Sequence, residues 1–263
     1  MNKILFSKNS IVRLFSSIVL ICISLYCIFK GGLVLLFALS VLVLLISYEY
    51  ISITEKIDTI YLKLTKSFLN IIIFLLSIFS IKFSIIFFTL VFLINLIQKK
   101  TYKINNIFVL LGPVYLCLPI IFLYNIRESY SGLDIILWFL LIVWFTDIFS
   151  YIGGNYFGGK KLNLSLSPNK TWSGFISGIV LASIMSAICF YGNELNALIG
   201  FIYGLLLSLF TQFGDLFESW IKRKHLIKDS GRLIPGHGGF LDRLDGLLLS
   251  SILLYIGYVF NGM

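Results

Sequence analysis

Long apolar runs separated by short polar segments set the pattern of this chain. A helix that crosses a bilayer needs about 20 mainly apolar residues, within a range of about 17–25. Runs that reach or approach this length occupy 11–29, 31–48, 67–81, 83–98, 107–124, 133–150, 172–191, 195–213 and 247–261. They predict about nine spans in an all-α, polytopic transmembrane helix bundle. The third, fourth and ninth runs are the short ones. Lys82 alone divides the third from the fourth, and Gly31-Gly32 predicts a tight turn between the first two. The first run follows Lys3, Lys8 and Arg13, as a secretory leader would. It is long for a leader, lacks an Ala-x-Ala site and leads straight into a second run, so a retained helix is expected.

Composition agrees with this pattern. The 263 residues are 59% hydrophobic and 13% charged, whereas a soluble domain carries about 25% charged residues. The formal net charge of +9 would suit nucleic acid, but the cations are scattered over short loops with no basic helix or aromatic-spaced patch. Their distribution fits membrane topology. With the N-terminus in the cytoplasm and nine alternating helices, 18 of the 21 Lys and Arg residues fall on the inner side, and only Lys30, Lys82 and Arg127 fall outside. That asymmetry predicts a multi-pass protein of the inner (cytoplasmic) membrane with a cytoplasmic N-terminus. Cys22, Cys27, Cys117 and Cys189 lie in apolar runs without metal-ligand spacing and read as inert filling.

The acidic residues single out the inner face. Asp147 ends the sixth run, Asp215 and Glu218 end the eighth, Asp242 and Asp245 precede the ninth, and Glu49 closes the second. A transporter would place such acids at mid-membrane on paired broken helices, which is not this pattern. Two inner segments carry further chemistry. In 147–174, two Gly-Gly pairs permit close backbone approach. Ser167-Pro168 then reads as a helix start, with Ser as N-cap and Pro at the first helical position. Lys170 and Thr171 would lie in that first turn, forming an anion site suited to phosphate. In 215–245, carboxylates from two helix ends stand beside Lys222, Arg223, Lys228 and Arg243. This is what a protein contributes to a Mg²⁺–phosphate site. Gly236, Gly238 and Gly239 flank His237 and would let backbone amides reach a phosphate chain. His225 lacks such a setting and reads as a surface residue. The residues alone thus predict a cytoplasm-facing, metal-assisted site for a phosphate compound at the membrane surface.

The polar stretch from Ser219 to Asp245 resembles the signature of the phosphatidate cytidylyltransferases, also called CDP-diacylglycerol synthases. The matching residues are Ser219, Lys222-Arg223, Lys228-Asp229, His237-Gly238-Gly239 and Asp242-Arg243-Leu244-Asp245. The likeness continues upstream through Gln212-Phe213-Gly214-Asp215 and Ser167–Trp172 to Asp147, and covers roughly the C-terminal 120 residues well. The first half resembles the family in hydropathy and in Tyr48-Glu49. Asn155 and Ser173 depart from the family pattern, which often has a basic residue and Glu or Gln there.

The resemblance implies Mg²⁺-dependent conversion of CTP and phosphatidic acid to CDP-diacylglycerol and pyrophosphate, in a helical membrane bundle that is typically dimeric. It also admits a second cation. The related possibilities are a CTP-dependent lipid kinase and a cytidylyltransferase for another lipid phosphate. On this reading one membrane domain covers 1–263, with N-terminal helices in 1–130 and catalytic helices and inner loops in 131–263. Asp215, Asp242, Asp245 and His237 are the expected catalytic residues. Asp215 and Asp242 are the principal metal ligands, with Asp245 and Asp147 as further ligands. Lys170, Thr171, Lys222, Arg223, Lys228, Asp229, Gly238, Gly239 and Arg243 are expected to bind substrate. The expected partners are CTP, phosphatidic acid, membrane lipids and a second copy of the chain, and no nucleic acid.

Overall fold

The computed structural model describes residues 8–55, 59–101, 107–191, 197–236 and 238–261. Lys3, Lys56, Lys103, Glu194 and His237, on which the charge pattern and the expected site draw, lie outside the described residues. Among the described residues the protein is 83% helical and nearly all-α. Among the described residues, seven helices are long and apolar enough to cross a membrane, so this is a multi-pass membrane protein. They are α2 (Gly32–Thr54), α3 (Ile60–Phe79), α5 (Phe108–Arg127), α6 (Gly132–Phe157), α7 (Trp172–Tyr191), α8 (Ala197–Lys224) and α9 (Leu241–Asn261). Two more, α1 (Lys8–Lys30) and α4 (Ile81–Thr101), carry shorter apolar stretches, Phe15–Lys30 and Lys82–Ile97. Two short strands, β1 (Lys161–Asn163) and β2 (Ser167–Thr171), lie between α6 and α7.

The chain forms two compact bodies. The first comprises Met1–Glu128 and Ile227–Arg243, and the second Ser129–Leu226 and Leu244–Met263. In the first body, the expected turn between α1 and α2 is made by Gly31 and Gly32, with φ of 63° and 49°. Residues at the end of α5 secure it. Arg127 donates to the carbonyls of Ile28 (2.6 Å) and Phe29 (3.1 Å), and Gly32 N–H donates to the Glu128 carboxylate (2.9 Å). These bonds satisfy carbonyls at the end of α1 that have no partner within the helix. Val43, Ile46, Phe74, Leu116 and Ile120 form the fully buried core. Just past α2, buried Glu55 pairs with Lys66 of α3. Burial pushes the Glu55 carboxyl above its usual range, while Lys66 pulls it back.

In the second body, α6, α7 and α8 meet through small residues, the usual way to bring membrane helices together. A Cβ on Gly178 would lie 2.8 Å from the Gln212 amide nitrogen and 2.9 Å from the Thr146 carbonyl. Gly246 of α9 fits against Thr211 of α8 just as closely. Gln212 ties the three helices together, donating to Ser150 Oγ (2.7 Å) on α6 and to the Phe175 carbonyl (3.2 Å) on α7.

The structure corrects three readings of the sequence. Ser167-Pro168 does not start a helix. Residues 167–171 form β2, paired antiparallel with β1, and α7 starts at Trp172. Asn163 makes the turn that permits this. Its side-chain oxygen accepts Ser165 N–H (3.0 Å) and Leu166 N–H (3.2 Å) and folds the chain back into a hairpin. Thr171 is the residue that caps α7, accepting Gly174 N–H at 3.2 Å.

Second, the polar stretch 219–245 is helical at both ends, beyond the apolar runs 195–213 and 247–261. The α8 helix continues to Lys224 and α9 begins at Leu241, so the loop is 225–240. Residues 211, 214, 218, 221 and 222 of α8 are buried, a helical spacing that continues past the apolar run. Third, α3 begins at Ile60 rather than 67, and α6 runs on through the first Gly-Gly pair to Phe157.

Candidate active site

The expected site residues that the structure describes fall into two clusters, one in each body. In the first body they lie on the segment leading into α9. Asp242, one residue inside that helix, accepts Ser230 N–H at both carboxylate oxygens (3.1 and 2.9 Å) and Gly239 N–H at one of them (2.9 Å). Its own N–H donates to Ser230 Oγ at 3.3 Å. The chain between them turns tightly. Ile234 N–H donates to the Gly238 carbonyl at 2.9 Å, and Gly236 and Gly238 have φ of 77° and 88°, a region open mainly to glycine. Lys228, Asp229 and Arg243 are exposed around this turn. On α2, Glu49 is 2% exposed and accepts Ser230 Oγ (3.0 Å), Phe240 N–H (3.1 Å) and Leu241 N–H (2.9 Å).

In the second body the cluster is ionic. Lys170 of β2 forms an ion pair with Asp215 of α8, both side chains half-buried. Ser219 Oγ also donates to Asp215, at 3.4 Å. One turn further, Glu218 and Lys222 form a 3.0 Å pair that is almost wholly buried. Asp245 of α9 lies within electrostatic reach of Asp215, Glu218 and Asp147. The Gly214–Asp245 contact explains how, since a Cβ on Gly214 would overlap the Asp245 carbonyl and lie 3.0 Å from Gly246 Cα. Arg223 donates to the Leu166 carbonyl at 3.3 Å and so anchors the β1–β2 turn to the end of α8.

The placement redefines several expected roles. Lys170 belongs to a strand and not to a first helical turn, yet its ammonium still reaches the acidic cluster. Thr171 is a buried cap. Lys222 has its charge balanced by Glu218. His225 is half-buried and bonds the Ile221 carbonyl at 2.8 Å, closing the end of α8. Among the described residues, no three His, Cys, Asp or Glu side chains form a ready-made metal cage. Mg²⁺ does not require one, because it binds through one or two carboxylates and completes its shell with water and phosphate oxygens.

Glu49, Ser230 and Glu218 are not among the expected site residues. An acid between Tyr48 and Tyr50 at the end of an apolar run was a usable signal for Glu49. The i,i+4 spacing of Glu218 and Lys222 was one for that pair. Nothing in the sequence marks Ser230.

Comparison with known proteins adds an independent observation. The model of a family described as "Cytidylyltransferase family" matches residues 11–260. A phosphatidate cytidylyltransferase of Staphylococcus aureus (strain COL) is 34% identical over 256 residues, covering 93% of this chain and 97% of that relative. One of Rickettsia bellii (strain RML369-C) is 33% identical over 219 residues, covering 79% and 94%. One of Brucella abortus biovar 1 (strain 9-941) is 46% identical over 133 residues. That match spans about half of each protein, 48% of this chain and 47% of the relative.

Proposed function

Because the chain belongs to the cytidylyltransferase family, we propose that it transfers the cytidylyl group of CTP to phosphatidic acid, forming CDP-diacylglycerol and pyrophosphate. The supporting observation is the half-buried Lys170–Asp215 pair, with Asp245 in electrostatic reach of Asp215, Glu218 and Asp147. A phosphate chain calls for cations and a divalent ion for carboxylates, and this pair supplies one of each.

A phosphate oxygen of phosphatidate attacks the α-phosphorus of CTP in line. The bond from that phosphorus to the β-phosphate oxygen breaks, and pyrophosphate leaves. The nucleophile is already anionic near neutral pH, so no strong general base is required. Bringing two polyanions together is the main task, and positioning with charge neutralisation carries it. The oxygen donors Asp147, Asp215 and Asp245 suit Mg²⁺, which when bound neutralises phosphate charge and orients the phosphates. The same donors admit a second cation. In the first body, Asp242 is proposed as a ligand on the family resemblance, its carboxylate fixed by backbone N–H groups as ligating carboxylates often are. Lys170 turns from Asp215 to a phosphate as substrate arrives. Arg223, Lys228 and Arg243 add positive charge, while Lys222, held by Glu218, contributes its field. Gly238 and Gly239 offer close backbone approach, and His237 steadies the pyrophosphate end or the segment before Asp242. Thr171 acts through the α7 cap, and Asp229 orients the neighbouring cations.

Nine spans in a single membrane domain, 1–263, are proposed, counting α1 and α4 with the seven helices whose apolar stretches are longer. The catalytic helices lie in 131–263. The 18 to 3 division of Lys and Arg supports a cytoplasmic N-terminus and a cytoplasm-facing site in the inner membrane. A homodimer is proposed on family resemblance.

The test gives purified protein CTP, Mg²⁺ and a panel of acceptors: phosphatidate, diacylglycerol and a polyprenol. Phosphatidate-dependent pyrophosphate release is expected. Phosphorylation of diacylglycerol or polyprenol with phosphatidate ignored would overturn the proposal.

A further inference from the structure

Glu49 stands far in sequence from the signature residues, yet its carboxylate is fully engaged with the segment that carries them. Three donors converge on it, one hydroxyl (Ser230) and two backbone N–H groups (Phe240 and Leu241), at 2.9–3.1 Å. The two N–H groups open α9, where the helix dipole favours a negative charge. Two glycines are needed for the approach. A Cβ on Gly231 would lie 2.6 Å from Glu49 Oε1, and one on Gly239 would lie 2.5 and 2.6 Å from the two carboxylate oxygens. Ser230 links this carboxylate to Asp242, donating its hydroxyl to one and its N–H to the other. Among the described residues, Glu49 is held by hydroxyl and backbone donors with no lysine or arginine. That arrangement fixes a backbone more than it balances a charge. A glutamine would present N–H groups to N–H donors, and an aspartate would fall short by one methylene.

We propose that Glu49 is a positioning residue for the transfer reaction. Its carboxylate sets the path of 230–242, and through Ser230 it sets the orientation of Asp242 and of the turn carrying Gly238 and Gly239. The inference rests on the cytidylyltransferase reading for its kinetic consequence, and on the hydrogen bonds alone for its structural one.

The experiment uses full-length protein in lipid nanodiscs, as wild type, Glu49→Gln, Glu49→Asp and Ser230→Ala. Amide hydrogen exchange across 229–241 is measured beside kcat and KM per folded molecule. Glu49→Gln is expected to speed exchange at Phe240 and Leu241 by about tenfold or more, with α6–α8 unchanged. Its kcat should fall by about 100-fold, the effect of a misplaced reacting group, with KM for CTP within about threefold. Glu49→Asp should not rescue it, and Ser230→Ala should shift both readouts the same way by less. If Glu49→Gln does not fold, Ser230→Ala carries the test. Unchanged exchange at 229–241 overturns the proposal. So does a kcat per folded molecule that stays at the wild-type value, or exchange that rises throughout α2–α5 while kcat is kept. If wild type makes no CDP-diacylglycerol, the functional reading fails. The exchange pattern then decides the placement claim, faster exchange confined to 229–241 supporting it and unchanged exchange refuting it.

Discussion

The two site clusters satisfy their acids in opposite ways. In the first, Glu49 and Asp242 accept backbone N–H groups and the Ser230 hydroxyl. In the second, Asp215 and Glu218 face the ammonium groups of Lys170 and Lys222. Neutral donors fixed in the backbone cannot leave, so carboxylates held this way define geometry. A lysine on a flexible stem can leave, so a carboxylate paired with it can exchange partners. The Lys170–Asp215 pair is half-buried and open to such exchange, with side chains 24% and 31% exposed. The Glu218–Lys222 pair, at 1% and 9% exposed, is closed to it. Glu49 and Asp242 therefore hold a shape, while the second cluster holds one exchangeable pair and, one turn further, one permanent pair.

Substitutions can break this contrast at several points. Asp215→Asn and Asp245→Asn should each lower turnover on the order of 10³-fold or more, with the protein still folded in detergent. A phosphatidate-dependent pyrophosphate assay checks this, and near-normal rates would remove the exchangeable pair from the chemistry. Breaking the permanent pair should instead be a matter of stability. Glu218→Gln or Lys222→Met alone should cost about 3–5 kcal/mol by leaving a buried charge uncompensated, and the double substitution should recover most of it. Thermal unfolding of the three variants reads this directly.

Lys170→Ala should lower kcat/KM for CTP by about 10²-fold, with little change in stability, because the ammonium is needed by substrate more than by the fold. A large loss of stability with kcat/KM preserved would make the pair structural and erase the distinction. Thr171→Ala should cost about 1 kcal/mol through the lost α7 cap. The smallest effect is expected from His225→Ala, within about 1 kcal/mol in stability and with activity unchanged, since it removes one bond at the end of α8.

How much of this was legible in the sequence depended on whether a residue's partner could be inferred from its neighbours. Apolar runs located the nine helices found among the described residues, because lipid-facing surface needs no partner. The charged ends were harder. Lys222 read as part of a polar stretch beyond the eighth run, yet α8 continues to Lys224 and buries Lys222 against Glu218. Ser167-Pro168 carried the right residues for a helix start, but the Asn163 turn drew them into a hairpin and passed the cap to Thr171. The motif residues were recognisable as a set. What stayed hidden was their long-range support, because Glu49 and Ser230 are 181 positions apart and neither is unusual alone.

The central claim is that the lipid phosphate attacks the α-phosphorus of CTP. Its most direct test follows two labels in one reaction of purified protein with Mg²⁺ and phosphatidate, one on the α-phosphate of CTP and one on the γ-phosphate. The account predicts that the α label enters the lipid and the γ label leaves in pyrophosphate, in equal amounts. Entry of the γ label into lipid, with release of CDP, would contradict it.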